Sequence, residues 1–374
     1  MTSLAPQQVT DKPVVSGAGP EVRPKYYSEN NFDLIRLVAA AEVVLGHSVS
    51  ALNVPAFEPL AVAVGYFAGV PAFFFVSGFL ITAAWYRRPE LRHFYGNRCY
   101  RIFPALWMSV ALSLIALALF ARPDTRELIS ANEPGLFLWA LAQATFAQVW
   151  NPEFLRLFGI GVMNGSLWTI PVELSFYAIV PFLPYLFRRI RADYLLPVLI
   201  VLSFALNYWV NATPKTMSHK LVMASPFPWV GMFLLGMLVQ RHIDRIYPWI
   251  AGRVWAFLAL FVGVSVLSAQ YPAYPFLANG NSMGILNYLA EVGLVLSAAY
   301  SYRWVSDKVL RRNDLSYGIY IGHMIILNSL VEHGMTGLRG FAVALPLIVL
   351  LAMLSWTLLE KPILARRRSV ALTP

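Results

Sequence analysis

Asn31-Phe32-Asp33-Leu34-Ile35-Arg36-Leu37-Val38-Ala39-Ala40-Ala41-Glu42-Val43-Val44-Leu45-Gly46-His47-Ser48 reads as a membrane helix that carries ionisable side chains at Asp33, Arg36, Glu42 and His47. Apolar segments normally exclude such groups, because a charge at the bilayer centre costs from about 2.5 kcal/mol upward. An arginine and a histidine inside one span therefore point to function. His47 follows Arg36 by eleven residues, so at 1.5 Å per residue it lies about 16 Å deeper, roughly half of a ~30 Å hydrocarbon core. Eleven residues is also close to three turns, which puts both side chains on nearly the same helix face. A cation at the mouth of a cavity and an imidazole near its middle suit an anionic cofactor entering from the cytosol and a proton transfer at depth. Asp33 and Glu42 are the expected counter-ions. The same residues also fit a buried ion-pair network that fixes helix packing alone.

The rest of the chain agrees with a membrane setting. Of its 374 residues 58% are hydrophobic and 13% charged, where a soluble protein of this length carries roughly a quarter charged residues. The expected fold is all-α, a polytopic transmembrane helix bundle. Apolar runs place ten spans near 33–52, 62–86, 102–121, 165–187, 194–212, 223–240, 251–268, 284–302, 316–332 and 340–359. The run 136–150 is short for a span and precedes Asn151-Pro152, so it reads as a re-entrant or interfacial segment. With ten spans and both termini cytosolic, 23 of the 29 Lys and Arg residues face the cytosol. An eleventh span would turn every basic cluster from 188 onward the wrong way. The net charge of +10 thus marks topology, and no nucleic-acid partner is expected.

Residues 1–30, polar and without the apolar core of a signal peptide, read as a disordered cytosolic tail. Residues 31–365 form one integral membrane unit and 366–374 a second cytosolic tail. No internal repeat is visible, which counts against an inverted-repeat transporter. The lone Cys99 excludes an intramolecular disulfide and any multi-cysteine metal site. No metal is expected. The oligomeric state is not written in the sequence.

Chemistry-bearing residues recur outside the first span. Ser77-Gly78 in the second lets a neighbouring helix approach closely; a nucleophilic Ser77 lacks a Gly-x-Ser-x-Gly frame. The loop after it ends in Arg98-Cys99-Tyr100-Arg101-Ile102-Phe103-Pro104, with Pro104 starting the next helix. Arginines three apart share one face and can clamp a phosphate, although basic loops also serve topology and anionic lipid contact. Glu173, about eight residues into an apolar segment, needs a partner such as His47 or an arginine. Trp168 and Tyr177 read equally as interfacial belt aromatics or as walls for a sugar acceptor. His323, a lone imidazole in an apolar helix, is more often a hydrogen-bonded core residue than a catalyst.

In order, these pieces resemble acyltransferase family 3 of integral membrane proteins. The match is carried by Asp33-Leu34-Ile35-Arg36 with His47, Phe74-Phe75-Val76-Ser77-Gly78-Phe79-Leu80-Ile81, and Arg98-x-x-Arg101-Ile102-x-Pro104. Trp168 with Glu173-x-x-Phe176-Tyr177 and Pro181, Leu315-Ser316-Tyr317-Gly318-Ile319-Tyr320 with His323, and Glu360-Lys361-Pro362 extend it over about 31–365. The resemblance implies an O-acyltransferase of the bacterial inner membrane, moving an acyl group, commonly acetyl, from cytosolic acyl-CoA to an extracytoplasmic carbohydrate. Exopolysaccharide, O-antigen or a secreted glycoconjugate, lipid-linked in some cases, is the acceptor class. By the same resemblance Arg36, Arg98 and Arg101 hold the donor and His47 is the catalytic base or acyl carrier. Glu173 would orient or charge-balance the imidazole, with Trp168, Tyr177 and His323 against the acceptor. Some members add an esterase-like domain; this chain resembles the stand-alone group. The usual Gly-Val-Asp is Gly69-Val70-Pro71 here. The rival class is a transporter or flippase whose charges line a substrate path.

Overall fold

The computed structural model describes Tyr26 and residues 29–213, 216–278, 280–282, 284–311 and 313–370, with 217–220, 282 and 367–370 described by backbone alone. Most of the expected tail 1–30, and 371–374 of the second tail, lie outside the described residues. Those described are all-helical, without a strand. The principal helices are α1 (Phe32–Ala51), α2 (Gly69–Arg87), α3 (Leu91–Phe120), α4 (Glu133–Ala144), α5 (Thr169–Ile179), α6 (Ala192–Ala212), α7 (Val230–Arg241), α8 (Ile243–Ile250), α9 (Val254–Gln270), α10 (Ile285–Tyr300), α11 (Ser316–Glu332) and α12 (Gly337–Leu354). A π-helical turn over Ser355–Glu360 joins α12 to α13 (Lys361–Val370).

Six stretches are long and apolar enough to cross a bilayer, seven if α8 and α9, bent by 89°, count as one, and α7 and α10 are shorter apolar helices. Together with α11 they fall on the ten runs expected from the sequence. α4 has 12 residues, about 18 Å, too short to cross. Its neighbourhood is tied to α11, where Asn328 accepts the Ile160 N–H and donates to Val162 and Met163, and Glu332 accepts the Gly159 N–H.

The sequence reading of 87–101 as a loop needs correction. α3 begins at Leu91 and carries Arg98 and Arg101 on helix, with Pro104 inside it. Its 30 residues span about 45 Å, more than the hydrocarbon core, so its basic end extends past the apolar layer. The span 165–187 is instead interrupted: 3-10 turns at Gly165–Trp168 and Val180–Phe182 flank α5, because the rings of Pro171, Pro181 and Pro184 cannot continue an i→i−4 ladder.

α1 and α2 pack together at the centre, with α7 against α2, α11 against α1, and α3 and α12 against α11. The α2–α7 contact is backbone on backbone: a Cβ at Gly78 would fall on the Phe233 carbonyl, and one at Gly236 on that of Phe75. Without a hydrophobic driving force in lipid, such small-residue seams supply the close van der Waals contact that binds helices. Asn31 pins the start of α1 to the end of α10, its amide donating to Ala298 and Ser301 carbonyls and accepting the Ser306 N–H. Outward faces stay apolar, as Val198, Val201 and Leu202 on α6 and Leu350 and Met353 on α12 show. That is the pattern of a bundle solvated by lipid.

Candidate active site

The arginines meet at one end of the bundle, on α1 and α3. Arg36 reaches Asp33 at 2.6 Å and Asp314, just before α11, at 3.6 Å. Arg101 also takes Asp314, at 2.5 Å, and reaches Glu360 of the π-helical turn at 3.5 Å. Asp314 is in turn bonded by the Ser316 N–H at 3.1 Å, and Glu360 by the Ser355 hydroxyl at 2.8 Å. Burial pushes the Asp314 carboxyl up, but Arg101, Arg36 and the Ser316 bonds outweigh it and bring the group down to about 2. Its folded value lies below the unfolded reference of about 3.9, so the pairing stabilises fully above that pH and is lost as pH falls through about 2. No sequence motif assigns Asp314 or Glu360 a partner. Neither the bend that turns Glu360 inward nor the docking of 313–316 is legible locally.

Arg98 is different. Its guanidinium lies 5.7 Å over the Tyr177 ring, it makes no ion pair among the described residues, and its buried Nε has no hydrogen-bond partner there. A half-buried cation with an unspent donor suits an anionic ligand.

The three arginines border a cavity of about 600 Å³ that runs inward between α1, α2, α3, α5 and α11, a size usual for small-molecule sites. α2 contributes Val70, Phe73 and Ser77 from one face. Ser77 Oγ donates to Glu173 Oε1 at 2.9 Å, and Tyr177 donates to the same oxygen. Glu173 thus meets the cavity with Ser77 and Tyr177, near Arg98. Trp168 is not in the lining; it packs 4.8 Å from Trp229. Glu42 is bonded to the Gly69 N–H at 3.0 Å, beside Glu291 on the Ala68 N–H at 3.0 Å. The two carboxylates serve the amino end of α2, while Asp33 is the acid that pairs with Arg36.

Beyond the inner end of the cavity, His47 meets His323. His47 Nδ1 and His323 Nε2 are 2.8 Å apart, with rings stacked at 5.1 Å and 24°. His323 is fully buried, and its Nδ1 faces the Tyr320 carbonyl at 2.8 Å and that of Ile319 at 3.3 Å. A nitrogen between two carbonyls must carry the proton, so neutral His323 offers a lone pair at Nε2. His47 then donates from Nδ1 and keeps its own lone pair at Nε2. His47 is exposed, and around Gly46 and Ser50, in its own turn, a second depression of about 450 Å³ opens. No local spacing marks these two imidazoles, 276 residues apart, as partners.

Fold and site together define a multi-pass membrane protein whose ionisable groups are gathered inside its helices. The chain belongs to acyltransferase family 3, whose family model, described as an acyltransferase domain, matches residues 29–360; it is a membrane-type acyltransferase. Nodulation protein 10 of Rhizobium leguminosarum bv. viciae is 32% identical over 370 residues, covering 91% of this chain and 97% of that protein. The O-acetyl transferase of Shigella phage Sf6 is 25% identical over 355 residues, with 91% and 97% covered. Peptidoglycan O-acetyltransferase OatA of Listeria monocytogenes is 24% identical over 304 residues, 70% of this chain and 45% of its own length. No solved structure matches the chain.

Proposed function

We propose that the protein is an O-acetyltransferase of the bacterial inner membrane, moving an acetyl group from cytosolic acetyl-CoA to a hydroxyl of an extracytoplasmic carbohydrate. The observation that carries the reading is the hydrogen bond between His47 and His323, which leaves His47 Nε2 as an exposed base. Two relatives named as O-acetyl transferases, one of them for peptidoglycan, support the acetyl group and a glycan acceptor. Arg98, with Arg36 and Arg101 beside it, supplies the cations that CoA phosphates require at the cavity mouth.

In the reaction His47 Nε2 takes the proton of the acceptor hydroxyl while the oxygen attacks the thioester carbonyl. The tetrahedral intermediate expels CoA as thiolate, which takes the proton back from His47. The products are the O-acetyl ester and CoA thiol. A histidine nucleophile would use the same lone pair, with an acetyl-imidazole between the two half-reactions. Asp314, ionised down to about pH 2, keeps Arg36 and Arg101 in place throughout the working range.

The test is acetyl transfer by the purified full chain, and glycan acetylation by mass spectrometry in a deletion strain complemented with wild type or His47→Ala. Loss of a general base costs about 10²–10⁴-fold in rate. A folded His47→Ala protein that transfers acetyl at the wild-type rate overturns the assignment, and a wild type that transports a substrate without consuming acetyl-CoA favours the transporter class.

A further inference from the structure

The histidine pair lies outside the lining of the cavity. Phe73 and Tyr320 line the cavity's inner end, whereas His47 and His323 are not among the lining residues. The Phe73 and Tyr320 rings meet edge to face, 5.6 Å apart at 67°, and the Tyr320 ring lies 6.3 Å from that of His323. The aromatic pair therefore stands between the cavity proposed for the donor and the base beside which its acyl carbon is attacked.

This end wall is fixed from several sides. The Tyr320 hydroxyl is bonded to Thr169 Oγ1 at 3.1 Å, and its carbonyl takes the His323 Nδ1–H at 2.8 Å. Next to Phe73, Phe74 is set edge to face against Phe176 at 5.2 Å, and Phe176 lies at 34° to Phe233, 4.9 Å away. A wall of packed rings yields little, because cores of native density transmit strain without opening space. Phe73 itself is half-buried, so it is the ring with room to turn.

We propose that Phe73 and Tyr320 measure the acyl chain, admitting an acetyl group between them and excluding longer acyl groups. The inference rests on the acyl-CoA reading of the cavity and adds to it what sets donor choice. For transfer the thioester carbonyl must reach His47, so the acyl chain, which leads the carbonyl away from sulfur, has to pass through the slot between the two rings, next to Val70, Phe74 and Ile170. A two-carbon chain needs little more than the carbonyl's own width. Each added methylene meets ring carbon, and an apolar site discriminates by about 10- to 200-fold per methylene. Truncating Phe73 removes the ring on the yielding side, while Tyr320→Phe keeps the ring and drops only the bond to Thr169.

The experiment measures CoA-thiol release by the purified full chain with acetyl-, propionyl- and butyryl-CoA, water or an added hexose supplying the hydroxyl. Wild type is expected to prefer acetyl over butyryl by about a hundredfold or more. In Phe73→Ala, and in the milder Phe73→Val, the butyryl-to-acetyl ratio of kcat/KM rises by about tenfold or more, and Tyr320→Phe keeps the wild-type ratio. An unchanged ratio in both folded Phe73 variants overturns the proposal while leaving acetyl transfer standing. A wild type that cleaves no acyl-CoA at all overturns the donor reading, and this inference with it.

Discussion

A histidine whose Nδ1–H is already given away presents a single free lone pair, and at His47 it is on Nε2. In the proposed reaction His323 fixes the tautomer and ring orientation of His47, as a carboxylate does for the histidine of a serine hydrolase. A neutral partner is the economical choice at this depth, since a buried carboxylate would need a counter-charge of its own. His323→Ala is expected to lower kcat by about ten- to a hundredfold with the KM for acetyl-CoA within twofold. His323→Gln, whose amide oxygen can accept the same N–H, recovers part of that loss. Equal effects on kcat and on thermal unfolding in the two variants would show that His323 is a packing residue. Much of this site is written locally: Arg36 and His47 share a helix face, and Arg98 and Arg101 stand three apart. What joins His47 to His323 is the packing of α1 on α11, and no spacing within either helix encodes it. Glu173 shows the same limit only in part: Tyr177, four residues on along α5, is a partner that helical spacing allows, while the approach of α2 to α5 selects Ser77.

The helices themselves follow from composition, and their departures from the expected bounds have local causes. Pro104 reads as a helix start, yet α3 runs through it; proline is tolerated in membrane helices where neighbours re-satisfy the freed backbone groups. The carbonyl that loses its i→i−4 donor is that of Tyr100, an exposed residue near the basic end of α3. Gly78 was legible as a close-packing position, and its partner Gly236 was not, since the seam is a property of two helices together. The consequence is a sharp intolerance of size. Gly78→Leu drives a side chain into the Phe233 backbone, which cannot move as a flexible side chain would, and is expected to cost about 3 kcal/mol or more. Gly46→Leu on α1, where an added Cβ meets nothing within 4 Å, is the comparison. Thermal unfolding in detergent checks the difference, and equal melting temperatures would mean that the α2–α7 seam is looser than described.

At the scale of the whole molecule, two hollows lie toward opposite ends of α1. The arginines and the larger cavity lie toward the ends of α1 and α3 that carry Asp33 and Arg98, and the depression around Gly46 and Ser50 lies at the other end of α1. In the proposed reaction such a layout would let a donor and an acceptor from opposite sides of a membrane meet without either crossing it. Its orientation was inferred from charge, because short basic loops stay in the cytosol. Cys99, the one cysteine of the chain, is exposed on α3 beside Arg98, so it reports the side directly. With the arginine end cytosolic, a membrane-impermeant maleimide labels the unmodified protein in inside-out vesicles and leaves it unlabelled in intact spheroplasts. Acetyl-CoA, whose phosphates would lie over Arg98, should slow that labelling. The reverse sidedness would put the arginines outside the cell, where no acyl-CoA pool exists, and would remove the donor from the mechanism altogether.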